Sequence, residues 1–261
     1  MHMKPPIRKC QRLNRKAGFL LLLLALPALI SIQACSSRRG GGTAAAAPEM
    51  LFTNRDAAGL MLEVEFRKGP AHNHPLMAVW IEDKAGNHME TLYVAASIGT
   101  GIFGHGRVTA GHWEPGPVKR PAALPYWWHK YGELPDAENP VPDAITGPTP
   151  TGDFRLVAGS MQTLPDVFYV LLEINQSWDW NEYWTNTLYP GNADYMSSSQ
   201  PAVVYAGRIE KDAETNIFEM KLIGHSHYAG EDGELYRDVS TLTTAKNIAA
   251  AIRVRIIQDQ P

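Results

Sequence analysis

"LMLEVEFR", residues 60 to 67, puts Leu60, Leu62, Val64 and Phe66 on one face of an extended chain and Glu63, Glu65 and Arg67 on the other. Side chains alternate along a strand, so this stretch reads as an antiparallel strand with one face on a core and one in water. The next two strands follow directly. "LMAVWIED" (76 to 83) and "METLYVAAS" (89 to 97) are separated by "DKAGN", where Gly86 and Asn87 are expected to supply the positive φ of a tight turn.

The same rhythm continues in "GDFRLVAG" (152 to 159), "DVFYVLLEINQ" (166 to 176), "PAVVYAGRIE" (201 to 210), "NIFEMKLIG" (216 to 224) and "AIRVRII" (251 to 257). "EKDAETN" (210 to 216) is expected to join two of these as a second hairpin. "TTAKNIAAA" (243 to 251) fits either two helical turns or a strand of small residues. Long helical periodicity is otherwise nearly absent, and many short strands with turns between them argue for one all-β, antiparallel sandwich domain over residues 51 to 261. A closed β-barrel is the alternative. Two segments break the rhythm: residues 99 to 152 are rich in proline and glycine, and residues 177 to 200 carry Trp178, Trp180, Tyr183, Trp184, Tyr189 and Tyr195 among polar neighbours. Loops so long or so aromatic are expected to be ordered and packed on the sandwich.

The N-terminal region gives an address. Lys4, Arg8, Lys9, Arg12, Arg15 and Lys16 precede the apolar run "GFLLLLLALPALISIQA" (18 to 34), the pattern of an export signal over residues 1 to 34. "SIQAC" resembles the lipobox of bacterial lipoproteins, in which the cysteine, here Cys35, becomes a diacylated N-terminus. Two acyl chains anchor stably where one is marginal. Residues 35 to 50, mostly Ser, Gly and Ala, read as a flexible tether. The expected location is the bacterial cell envelope, lipid-anchored and facing the periplasm, with Ser36 favouring outer-membrane sorting by the same resemblance. The other cysteine, Cys10, falls within the signal, which excludes thiol and disulfide chemistry from the mature domain.

Six of the 24 basic residues lie in the signal and all 27 acidic ones beyond it, leaving 18 against 27. Such an acidic domain has no electrostatic footprint for nucleic acid. The membrane, through the lipid, and another envelope protein are the partners expected.

Several stretches together, "MAVWIEDKAGNHMETLYVA" (77 to 95), "RPAALPYWWHKYGE" (120 to 133), "DAITGPTPTGDFRL" (143 to 156), "VLLEINQSWDWNEYW" (170 to 184) and "GHSHYAGEDG" (224 to 233), resemble the predicted periplasmic proteins grouped as domain-of-unknown-function family 2271. The resemblance implies an exported, Ig-like β domain in the setting of extracytoplasmic flavin and electron-transfer systems, and supplies no active site.

Three constellations carry chemistry. His72 with His74, and His225 with His227, are spaced i, i+2, which on a strand puts both rings on one face, and Glu231 or Asp232 would complete a transition-metal shell. Against that, Gly224 can break the strand so that His225 and His227 simply leave its end. Trp128, Trp178, Trp180 and Trp184, with Tyr126, Trp127 and Tyr183, would make a stacking platform for a flat ligand, with Trp178 and Trp180 on one face of an extended segment. The competing expectation is that Trp178 and Trp184 serve mainly packing. "DAITGPT" (143 to 149) resembles the covalent flavin-attachment signature, which would make Thr149 the acceptor, but Pro148 stands where that pattern has alanine, and the stretch also reads as a proline-rich turn. Ser97, Ser160 and Ser226 lie in no nucleophile elbow, "GIFGHGRVTAGHW" (101 to 113) is no phosphate loop, and Asp179 with Glu182 is an acid pair of no particular spacing. A binding or accessory module is the reading that results; a metal-dependent hydrolase or a redox enzyme using a flavin is the alternative.

Overall fold

A computed structural model describes residues 47 to 257. The signal peptide, Cys35 and most of the tether lie outside the described residues. In chain order the strands are β1 (Glu49–Thr53), β2 (Met61–Lys68), β3 (Leu76–Glu82), β4 (His88–Ala95), β5 (Ile102–Thr109), β6 (His112–Pro117) and β7 (Thr146–Gly147). There follow β8 (Phe154–Gly159), β9 (Val167–Asn175), β10 (Val203–Glu210), β11 (Ile217–Glu219), β12 (Lys221–His225) and β13 (Ala249–Ile257). Three short helices interrupt them: α1 (Ala96–Thr100), α2 (Pro125–Tyr131) and α3 (Ala193–Ser198). The first strand begins inside the range read as tether.

Two sheets form a sandwich. Sheet A has the order β1-β8-β2-β13-β11 and sheet B the order β12-β10-β9-β3-β4-β7, while β5 and β6 make a separate ribbon. Each sheet ends in edge strands, so the fold is an open sandwich and not the alternative barrel. Pairing is antiparallel except for β1 with β8 and β4 with β7.

The alternation of "LMLEVEFR" is realised as read. Leu62, Val64 and Phe66 are fully buried and pack in the core with Phe154 and Leu156 of β8 and Val254 of β13. From sheet B the same core receives Met77, Val79 and Ile81 of β3 and Phe168, Val170 and Leu172 of β9. The opposite side of sheet B is buried too. Leu76, Ala78 and Trp80 of β3 and Leu171 of β9 form a second apolar cluster with Leu124 and Trp127, delivered by the long proline-rich segment. That is why β3 and β9 read as nearly continuous apolar runs instead of alternating ones.

Three expectations need correction. "EKDAETN" closes no hairpin, since it leads from β10 in sheet B to β11 in sheet A. In "DKAGN" only Gly86 has positive φ, at 81°; Asn87 instead donates its backbone N–H to Asp83 Oδ1 at 2.9 Å, so an aspartate-centred turn does the work expected of a second positive-φ residue. "NIFEMKLIG" is not one strand: β11 pairs with β13 in sheet A and β12 pairs with β10 in sheet B. The chain changes sheets at the buried Met220, as strands do at sandwich corners. "TTAKNIAAA" divides into a 3-10 turn at Ala245–Asn247 and the start of β13.

Candidate functional site

β12 ends at His225, and the chain turns through 226 to 235 before Tyr236 returns to exchange two backbone hydrogen bonds of 2.8 Å with His225. Gly224 sits at the bulge in the β10–β12 pairing, and a Cβ there would meet the Tyr236 carbonyl oxygen at 2.5 Å. The histidine pair therefore does end a strand. Against this turn packs the aromatic loop 177 to 200, and between them lies a cleft of about 310 Å³ lined by Trp184, Tyr189, His225, His227, Tyr228 and Tyr236.

The rings are held from behind. The Asn192 side chain caps α3 by accepting the Tyr195 N–H at 2.9 Å. That placement buries Tyr195 completely, its hydroxyl donating to Thr185 O at 2.7 Å and its ring meeting Tyr189 edge-on at 4.9 Å and Tyr228 at 5.7 Å. Trp184 is nearly buried; its N–H donates to Asn181 Oδ1 at 2.7 Å and its indole N–H to Thr241 Oγ1 at 3.2 Å. Tyr189 and Tyr228 stack at 3.9 Å, and His225 stacks on Tyr236 at 5.4 Å.

Most polar atoms of the cleft are already engaged. The His225 Nδ1 faces Ser226 O at 2.8 Å, which calls for a proton on that nitrogen. Burial lowers the His225 pKa below 6.5, against the opposing pull of the Ser226 and Asp238 carbonyls, so the ring is neutral at neutral pH. The His227 Nδ1 accepts from the backbone N–H groups of Ala229 and Glu231, both at 3.2 Å, and so closes the turn. Tyr236 donates its hydroxyl to Asp232 Oδ2 at 2.8 Å, and burial together with that carboxylate pushes its own pKa up to about 12.

The four histidines do not converge. Met77, Ile174, Val203 and His225 are register partners in successive strands, so the His72–His74 loop leading into β3 stands three interstrand spacings, roughly 14 Å, from β12. A shared ion would need all its ligands about 2 Å from it. His72 packs on Phe66 with a lowered pKa from burial, and His74 is exposed with φ of 48°. Among the described residues no group of three or more His, Cys, Asp or Glu side chains is gathered to hold a metal.

The tryptophans divide. Trp184 packs, as expected; Trp178 does not, being 69% exposed at φ of 57°, a left-handed conformation that no extended segment contains. The reason is the bend of the loop: Trp178 N–H donates to Ser197 O and Trp180 N–H to Trp178 O, which turns Trp180 inward onto Tyr195 and Trp178 outward. Trp128 locks its own loop, its indole donating to Pro121 O at 2.9 Å and stacking on His129. Thr149, half buried, lies on a strap whose preceding carbonyl, Pro148 O, accepts the Tyr93 hydroxyl at 2.6 Å. This strap follows β7, and β7 and β12 are opposite edges of sheet B, so Thr149 and the cleft are separate places. "GIFGHGRVTAGHW" forms the β5–β6 ribbon; Asp179 accepts from the Thr244 hydroxyl while Glu182 is exposed.

Sequence reading placed Tyr189 in the aromatic loop without giving it a role, and missed Tyr236, which nothing distinguished from other tyrosines, and Glu173. Glu173 is wholly buried on the outer face of β9 and accepts the Tyr126 and Trp127 N–H groups at 3.2 and 2.7 Å, capping α2 from the sheet beneath it. An acid inside the apolar run "VFYVLLEIN" was the available signal. The chain matches no family model, no curated protein and no solved structure.

Proposed function

We propose that this chain is an exported, lipid-anchored binding module of the bacterial cell envelope, and that its ligand seat is the aromatic and histidine cleft. The observation that carries the second half is the preformed concavity: rings fixed by the buried Tyr195 and the pinned Trp184 surround about 310 Å³ of space. Pockets of this kind, lined by aromatic side chains and a few polar groups, are the usual form of a small-ligand site. The first half is supported by the basic, apolar and "SIQAC" series before Cys35 and by the acidic remainder of the chain. The resemblance to family 2271 adds a setting among extracytoplasmic electron-transfer systems.

Each half has its own test. Membrane fractionation and the mass of the N-terminal peptide, compared between the full chain and a Cys35→Ser variant, should show acylated Cys35 as the first residue; Cys35 unmodified and still joined to Ala34 would remove the anchor. For the cleft, a fragment library screened by NMR should perturb Tyr228 and Tyr236 first, and a Tyr236→Ala variant should lose those hits. Hits that cluster elsewhere and survive Tyr236→Ala would move the seat away from this cleft.

A further inference from the structure

Resting on that reading of the cleft as the ligand seat, we infer that it selects a compact organic cation of the quaternary or methylated ammonium class. Two independent features point the same way: what the rings offer and what charge surrounds them.

An aromatic ring presents a negative face to a cation, and a cation without N–H groups asks for nothing else. The cleft is built of Trp184, Tyr189, Tyr228 and Tyr236 with two histidines, and several of its polar atoms are spent inside the protein. The Trp184 indole N–H is bonded to Thr241, the Tyr236 hydroxyl to Asp232, His225 Nδ1 to the Ser226 carbonyl and His227 Nδ1 to two backbone N–H groups. Few donors remain for a sugar or an anion: the Tyr189 and Tyr228 hydroxyls and the His227 Nε2–H that follows from Nδ1 accepting. A quaternary ammonium group needs ring faces.

The surroundings are acidic. Asp232 touches Tyr236, Glu231 follows from the His227 turn, Asp238 lies beside His225, and Asp194 lies near Glu231. Among the described residues no lysine or arginine lines the cleft, and the neighbouring Arg237 instead lines a separate groove with Glu82 and Lys84. The neutral His225 ring adds no opposing charge at neutral pH. At about 310 Å³ the space stands at the small end of ligand pockets, which suits a trimethylammonium head and not an extended polymer.

The test is calorimetry at neutral pH and low salt with choline and its uncharged isostere 3,3-dimethylbutan-1-ol, on the parent, Tyr236→Leu and Asp232→Asn. Choline should bind roughly tenfold more tightly than the isostere, lose that advantage in Tyr236→Leu, and weaken several-fold in Asp232→Asn, which keeps an acceptor for the tyrosine and drops the charge. Circular dichroism of each variant establishes that it is folded. Equal binding of the two probes would overturn the cation preference and leave the cleft as a ligand seat. Binding of neither, with uncharged fragments still perturbing Tyr228 and Tyr236, would overturn the preference in the same way; absence of any ligand at the cleft would overturn both readings.

Discussion

The outer faces of the two sheets are built on opposite principles. On sheet A, Glu63 lies 3.8 Å from Arg155 and 3.6 Å from Arg255, Glu65 reaches Arg67 and Arg253, and Glu219 meets Arg253 at 3.4 Å, a ladder of ion pairs open to water. On sheet B the equivalent surface carries Ala78, Trp80, Leu171 and Val204 and is roofed by Leu124 and Trp127. The difference teaches that the long proline-rich segment is a structural layer, because without it sheet B would expose the apolar face that Ala78, Trp80, Leu171 and Val204 carry. Charges can line a solvated sheet face at little gain or cost, whereas a roofed face gains burial energy and must then satisfy every polar group beneath the roof.

The sharpest way to break this contrast is to remove the keystone of the roof. Trp127→Ala, which empties a fully buried indole position and removes the 3.0 Å hydrogen bond that the indole donates to Thr91, should cost about 3–5 kcal/mol of stability in denaturant unfolding. A loss below about 1 kcal/mol would mean that the roof is dispensable. Next in size is Glu173. Truncation to Ala strips two N–H groups at the start of α2 of their acceptor and should cost about 1–3 kcal/mol.

The same residue predicts a pH dependence. Burial raises the Glu173 pKa from 4.5 to about 8, so the folded state holds a proton that the unfolded chain releases earlier. Its contribution is then fully present below 4.5 and lost as pH rises through about 8. Unfolding free energies measured across this window should fall with rising pH in the parent and lose that component in Glu173→Gln. A Gln variant with the parent's slope would assign the proton uptake elsewhere. The smallest effect belongs to sheet A: Arg253→Ala, on a side chain 41% exposed, should cost less than about 1 kcal/mol and less still in high salt. A cost rivalling that of Trp127 would erase the distinction between the faces.

How much of this was legible follows from the same contrast. Sheet A was readable because Leu62, Val64 and Phe66 alternate with Glu63, Glu65 and Arg67, and alternation is a local signal. In sheet B the apolar runs of β3 and β9 announced burial on both faces without saying what covers them. The cover, "PAALPYWWHKY" (121 to 131) with its short helix at 125 to 131, has too few turns to show a period. "NIFEMKLIG" misled because a strand that changes sheets at Met220 keeps its alternation through the crossing. At the cleft, the aromatic loop and the "GHSHY" turn each stood out, but their meeting is a contact between positions such as Trp184 and Tyr228, and no local pattern encodes it. Trp178 and Trp184 looked alike in sequence and separated only because the left-handed bend at Trp178 turns its ring outward while Asn181 and Thr241 hold Trp184 in place.

One pairing described above governs when the fold can come into being. The centre of sheet A joins β2 to β13, Val64 to Val254, so one of the first strands waits for the last. Strands β3, β4, β9, β10 and β12 can assemble sheet B beforehand, and β1, β8 and β2 can pair over part of it, but sheet A lacks β13, and β11 its partner, until residues 249 to 257 arrive. Pairings between such distant positions close slowly, since the entropy of the intervening chain is lost before contacts repay it. A chain whose synthesis stops short of β13 would therefore present an incomplete sandwich with part of its apolar core open, a target for chaperones and proteases.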